Sequence, residues 1–183
     1  MATADDVYTD VMSVTTSAPI VDQYADFASL AAAEQEHIDY RIHVTRRNPS
    51  SVAVIAPHGG SIEHRTSSIA TQLAGDEHNL YLFEGLDSDG SFETLHITSH
   101  RFDEPRCLEL IADCERVVAV HGCAGDELAL MIGGRDTVLG AAIAEASADI
   151  AVEVRLSDHA YPGRHKNNIC NRGKSGRGVQ LEF

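Results

Sequence analysis

Two histidines and a glutamate close three separate apolar runs of this sequence. The run SVAVIAP (51–57) leads into His58-Gly59-Gly60, RVVAV (116–120) into His121-Gly122, and GVQL (178–181) into Glu182. Read as buried strands of one sheet, these runs send two imidazoles and a carboxylate from one edge. Open α/β sheets place their ligands beyond the carboxyl ends of the strands. Glycine behind each histidine lets the backbone turn sharply and lets a second group approach closely. Glu63 follows His58 by five residues across Gly59-Gly60-Ser61-Ile62, a loop short enough to fold the carboxylate back beside the imidazole. His58, Glu63 and His121 then supply two neutral nitrogens and one anionic oxygen, a catalytic zinc set with one position open for water. Zinc draws the pKa of such a water toward ~7, and Glu182 stands at the adjacent strand end to take its proton. The plainer alternative is a pair of strand-end histidines that satisfy hydrogen bonds and bind nothing.

The elements that must position these groups are legible as alternating periodicities. Asp22 to His37 reads as an amphipathic helix with an Asp start. Tyr40–Val44, Ser51–Ala56, Asn79–Gly85, Glu93–Thr98, Arg116–Val120, Ala129–Ile132, Ile150–Val154 and Gly178–Phe183 read as strands. Thr66–Ala74, Glu104–Asp113 and Asp136–Ala148 read as helices, with Pro105 tolerated in a first turn, and 157–177 as loop. Strands alternating with helices of about ten residues predict an α/β domain on a mostly parallel sheet. Residues 1–20 are polar and without period, a loose arm before a single domain over 21–183.

Composition sets outer bounds. The chain has 183 residues, 43% hydrophobic and 23% charged, a soluble globular profile rather than a disordered or fibrous one. Its apolar runs fall short of the ~20 residues of a membrane-spanning helix. The N-terminus has no basic region of the signal-peptide kind, which predicts a cytoplasmic protein. The net charge is −14, the wrong sign for a generic nucleic-acid or anionic-membrane binder. Lys166 and Lys174 are the only lysines. Excess acid with arginine in place of lysine predicts adaptation to high salt, where self-repulsion is screened. Cys107, Cys114, Cys123 and Cys170 form no CxxC and read as buried, inert thiols.

The segments APHGGSIEHRTSSIA, HITSHRFDEP, VHGCAG, IGGRD and NICNRGKSGRGVQLE, within a match that runs from about Val52 to Glu182, resemble, in order, the poly-γ-glutamate hydrolase family known from bacteriophages and related bacterial genes. That family is similar to the zinc carboxypeptidases in fold and metal site. The resemblance implies a three-layer α/β/α sandwich, one zinc ion held by His58, Glu63 and His121, and Glu182 as general base. It implies hydrolysis of γ-glutamyl amide bonds in a polyanionic glutamyl polymer or peptide; the organism's route would then be cytoplasmic or, for a phage protein, release from a lysed host. Two further readings use the same residues: a zinc amidase or deacylase acting on another acyl-amino acid or a peptidoglycan peptide, and a non-catalytic carboxylate-binding module.

Charge distribution adds substrate-binding candidates. Arg164, Lys166, Arg172, Lys174 and Arg177 fall in an acid-free stretch that leads into the strand ending at Glu182. Arg172 is the leading candidate, because a guanidinium fork matches a carboxylate, with Asn171 beside it. The alternative is a loop salt-bridged to the acidic surface. Arg135, in GGRD, is a second candidate for carboxylate or oxyanion contact; alternatively Asp136 simply caps the next helix. Asp103 is expected to cap the helix from Glu104. Tyr161 is a lesser candidate for protonation, His64 is expected to lie outside the ligand set, and His37, His43, His78 and His96 read as surface or satisfied residues.

Overall fold

The computed structural model describes residues 21–87, 90–123 and 128–183; the expected arm over 1–20 lies outside them. Seven strands form one mixed sheet: β1 (Tyr40–Thr45), β2 (Val52–Gly60), β3 (Asn79–Gly85), β4 (Arg116–His121), β5 (Ala129–Gly134), β6 (Glu153–Arg155) and β7 (Val179–Glu182). Their order across the sheet is β1-β3-β2-β4-β7-β5-β6. The four central strands β3, β2, β4 and β7 run parallel, whereas β1 pairs antiparallel with β3 and β5 antiparallel with β7.

Helices α1 (Phe27–Ala33), α3 (Ser91–Leu95) and α4 (Pro105–Ala112), with a short 3-10 helix at Ile169–Arg172, cover one face. α2 (Thr66–Ala74) and α5 (Thr137–Ala146) cover the other. The result is a three-layer α/β/α arrangement. Strand alternation divides the core accordingly. Ala53, Ile55, Val117 and Ala119 join the larger cluster with Phe83, Phe102, Leu110 and Ile169. Val54, Ala56 and Val120 pack under α2, and Val118, Val179 and Leu181 under α5. Cys107, Cys114 and Cys170 are buried free thiols, but Cys123 is partly exposed. Among the described residues no helix is long and apolar enough to cross a membrane.

Three elements differ from expectation. The alternating stretch Glu93–Thr98 is not a strand: Ser91–Leu95 is helical, and His96 continues as extended chain outside the sheet. The first helix spans only Phe27–Ala33, capped by Asp26 rather than Asp22. Asp103 does not cap α4; Glu104 accepts from the Cys107 amide at its start, while Asp103 accepts from the Phe27 amide and ties α1 down.

One irregularity decides how the site is aimed. The register between β2 and β3 steps from Ala56↔Leu82 to Gly59↔Glu84, so β2 carries one extra residue. Simple alternation from Ile55 would turn His58 toward α2. The bulge instead puts its ring against His96 and Phe102, on the face to which His121 also points. Bulges re-aim side chains in this way beside active sites. Pro57 is compatible with the bulge because proline cannot donate to a ladder. Beyond it Gly60 has φ +65, and a Cβ there would overlap the carbonyl oxygen of Gly85. Left-handed backbone costs a non-glycine residue roughly 1–2 kcal/mol before any clash. Gly60→Ala is therefore expected to lower unfolding free energy by about 2 kcal/mol or more, measured by urea titration.

A second expectation concerns the anchor of α4. Arg106 spans both carboxylate oxygens of Glu36, at 2.9 and 3.0 Å, and reaches Glu104. The Arg106 hydrogen bonds hold the Glu36 carboxyl below its usual range. A lowered carboxyl pKa stabilises the fold above the unfolded value, and that contribution is lost as pH falls through the folded value. Glu36→Gln is expected to lower the melting temperature at pH 7, with the difference from the parent protein closing as pH falls below the usual carboxylate range.

Candidate metal centre

The β2 bulge and the loop after it fold the sequence pattern into a compact cluster. The Glu63 amide donates to the His58 carbonyl at 2.9 Å, closing His58–Glu63 into one tight turn. Thr66, at the start of α2, fastens it by donating its hydroxyl to the carbonyls of both His58 and Glu63. The turn brings Glu63 Oε1 to 2.9 Å from His58 Nδ1, while Oε2 lies 3.4 Å from His121 Nδ1 and accepts from the Gly122 amide at 3.0 Å. The two Nδ1 atoms lie 3.2 Å apart. His58, Glu63 and His121 thus offer one ligand atom each within 4.8 Å of one another.

The opposite ring nitrogens are committed elsewhere. His58 Nε2 lies 2.9 Å from the Ile97 carbonyl, to which only an N–H can donate. The neutral ring therefore carries its proton on Nε2 and presents a lone pair at Nδ1. His121 Nε2 meets the Ser99 hydroxyl at 3.3 Å. The Ser99 hydroxyl can donate to that nitrogen, and His121 Nδ1 then offers a second lone pair toward the same point. Zn–N bonds of 2.0–2.1 Å in a tetrahedron place two nitrogens about 3.3 Å apart. The donor chemistry and the spacing both fit a zinc ion.

The electrostatics follow from burial and mutual contact. Burial alone would raise the Glu63 carboxyl, but His58 and His121 hold it well below the usual carboxylate range. Burial would lower His121, yet its contact with Glu63 raises it, and Glu182 adds to that. Glu182 pairs in register with His121 on the neighbouring strand. Burial, reinforced by the like charge of Glu63 and opposed by His121, raises its carboxyl. Gln180 donates to Glu182 Oε1 at 2.7 Å and accepts from Asn168 Nδ2 at 2.7 Å. Period-two alternation in VQLE puts Gln180 and Glu182 on one face, a polar pair in an otherwise apolar strand, and that was the available signal for Gln180. His96, Ser99, the Ile97 carbonyl and Asp22 carried no comparable signal.

The three substrate-binding candidates do not join the cluster. Because β5 is antiparallel to β7, Met131 pairs with Glu182 but Gly134 pairs with Val179. Arg135 is thereby carried to the opposite edge, roughly 10–13 Å along the strand from Glu182 at ~3.3 Å per residue. There its amide donates to the Gly178 carbonyl, and Asp136 caps α5. Asn171 is buried with every polar atom committed to backbone: Oδ1 accepts from the Arg135 and Gly178 amides, and Nδ2 donates to the Gly163 and His165 carbonyls. Arg172 donates to the Phe102 carbonyl at 3.2 Å. Lys174 pairs with Glu115 at 2.8 Å, next to the first residue of β4. The stretch that enters β7 lies at the far end of β7 from Glu182, so Lys174 and Arg177 sit at the opposite edge, beside Glu115 and Arg116. Asn171→Ala leaves the Gly178 amide and the Gly163 carbonyl short of a partner, at about 1–3 kcal/mol for each that water cannot reach. It is expected to cost at least about 2 kcal/mol of stability, read by denaturant unfolding, with metal content unchanged.

The matches to known proteins are consistent and extensive. A family model described as poly-gamma-glutamate hydrolase matches residues 24–183. The chain is 40% identical over 164 residues to the UPF0714 protein YndL of Bacillus subtilis (strain 168), covering 88% of this chain and 64% of YndL. It is 37% identical to YmaC of the same organism, covering 88% of this chain and 68% of YmaC. The chain therefore spans about two thirds of the length of these relatives, and slightly less in the case of YndL. A solved structure of a bacteriophage poly-gamma-glutamate hydrolase superposes with a TM-score of 0.82 at 32% identity, over 88% of this chain and 78% of that one. A YndL structure described as zinc-free superposes with a TM-score of 0.80 at 38% identity, over 88% and 79% of the two chains.

Proposed function

This chain belongs to the poly-γ-glutamate hydrolase family, and from that premise we propose that it hydrolyses γ-glutamyl amide bonds of poly-γ-glutamate with one zinc ion at the cluster. The observation that carries the proposal is the convergence of His58 Nδ1 and His121 Nδ1, 3.2 Å apart, on the two oxygens of Glu63. The zinc-free description of the YndL structure, a statement about that protein, is in keeping with it.

His58, Glu63 and His121 would hold the ion. Bound there, it would supply Lewis acidity, making water nucleophilic near neutral pH and polarising the scissile carbonyl. Glu182 is the general base, taking the proton of the attacking water and delivering it to the departing amine. Its raised pKa suits a group that must both accept and return a proton. Gln180 holds one Glu182 oxygen at 2.7 Å and limits the rotation of the carboxylate. Tyr161 lies close enough to feel the charges of Glu182 and Glu63, which with burial raise its phenol; it is a candidate donor to the leaving group.

Substrate carboxylates would meet hydrogen-bonding rings and the Arg101 guanidinium from two loops on this side of the sheet. The rings of His100 and His165 lie 5.2 Å apart, and the loops are stitched by the Ile169 amide donating to Ser99, the residue that touches His121. Arg101, next in sequence, is exposed.

Metal analysis by plasma mass spectrometry is expected to find about one zinc per chain, lost in His58→Ala. Glu182→Gln is expected to retain the zinc while turnover of poly-γ-glutamate falls by ~10²–10⁴-fold. Near-normal turnover in that variant would remove Glu182 from its role. Cleavage of other acyl-amino acids in preference to the polymer would favour the amidase reading, and polymer binding without shortening would favour the non-catalytic module.

A further inference from the structure

Ligand His58 is braced from a part of the chain remote from the metal cluster. Its ring lies on the ring of His96, centroids 4.2 Å apart, and its Nε2–H donates to the carbonyl of Ile97. Both contacts come from residues 96–98, an extended segment that belongs to no strand of the sheet and lacks a ladder to hold it. What holds it is Asp22. One carboxylate oxygen takes the His96 Nδ1–H at 2.9 Å and the Thr98 hydroxyl at 3.0 Å, and the other takes the Thr98 amide at 3.0 Å. Arg101 adds a longer contact at 3.5 Å to the second oxygen. The Asp22 side chain is only 1% exposed.

Among the described residues Asp22 has no other partner of this kind, and it does not cap α1, whose cap is Asp26. All three short hydrogen bonds converge on the two residues that flank Ile97. The carbonyl that fixes the His58 tautomer is thus clamped on both sides by one carboxylate. Removing that carboxylate leaves the His96 N–H and the Thr98 N–H without an acceptor in a buried setting, which favours a shift of the segment. A shift of the Ile97 carbonyl would free the His58 proton to move to Nδ1, the atom facing Glu63 and His121.

We propose that Asp22 is a positioning residue for the metal cluster, acting through residues 96–98 to fix the tautomer and ring orientation of His58. The inference rests on the reading of His58, Glu63 and His121 as zinc ligands. Groups that orient metal-bound histidines typically matter by 10–100-fold in metal affinity.

The test uses the full chain and zinc alone as the ligand, with the dissociation constant read by competition against a chelator. Asp22→Ala is expected to weaken zinc binding by about 10–100-fold. Asp22→Asn, which keeps the shape and one acceptor oxygen, is expected to weaken it in the same direction by less. In the metal-free protein the His58 Nε2–H signal, followed by nitrogen-resolved NMR, is expected to exchange with solvent faster in both variants. A residue with only a structural role would lower the melting temperature and leave both the zinc affinity and that exchange rate of the folded protein unchanged; this outcome overturns the proposal. Should Asp22→Ala not fold, Asp22→Asn decides by the same two readouts. A parent protein that takes up no zinc overturns the metal reading itself, and is distinguished from failure of the Asp22 proposal by being seen before any substitution is made.

Discussion

Two imidazole nitrogens held 3.2 Å apart around one buried carboxylate are the constraint on which the carboxyl edge of the sheet depends. Burial alone would penalise such a carboxylate, and the two histidines offset that cost, so the backbone must hold all three side chains together. Each of the three residues is fixed by a different device. His121 is the last residue of a central parallel strand, placed by its ladder. His58 is turned onto the same face by a bulge. Glu63 is returned by a turn closed at 2.9 Å and fastened by Thr66. No single element could bring all three together, and the sheet is the common frame that lets a strand, a bulge and a turn meet at one point.

How much of this was legible depended on whether the signal was local. Apolar runs ending in His-Gly announced strands and their ends, so His58, His121 and Glu182 could be placed at one edge without a structure. The return of Glu63 was legible too, because a loop with two glycines can turn only a short way. The face toward which His58 points was not, since strand periodicity gives the opposite answer until an extra residue is inserted; Pro57 was the one hint, and a weak one. The direction of β5 was illegible for a related reason. An apolar run says that a strand is buried but not which way it runs, and Arg135 changes edges with that choice. The stretch Glu93–Thr98 alternated like a strand but has no neighbour with which to pair, and its apolar residues Leu95 and Ile97 go into the core without a ladder.

The basic stretch over 164–177 teaches a similar lesson about distance. Proximity in sequence to Glu182 suggested proximity in space, yet β7 intervenes and separates its own two ends by most of the sheet's height. Arg172, Lys174 and Asn171 serve the architecture instead. Asn171 ties together the backbone at Arg135, at Gly163 and His165, and at Gly178. Lys174 offsets an acidic surface at Glu115. A net charge of −14 therefore coexists with basic residues at the far edge and, among the described residues, with the loops around His100 and His165 on the α4 face.

The edge also shows why a sheet with mixed directions suits this site. Parallel β4 and β7 deliver His121 and Glu182 side by side in register, a ligand and a candidate base separated by one strand spacing of about 4.8 Å. The strand that follows in the sheet, β5, runs the other way, so Met131 rather than a chain terminus lies beside Glu182. An antiparallel neighbour presents continuous strand at that height and no loop growing from its carboxyl end. The candidate base is therefore flanked on one side by Met131 of β5, while residues 98–103 and 163–169 meet on the α4 face. The direction of that one strand decides which residue stands beside Glu182.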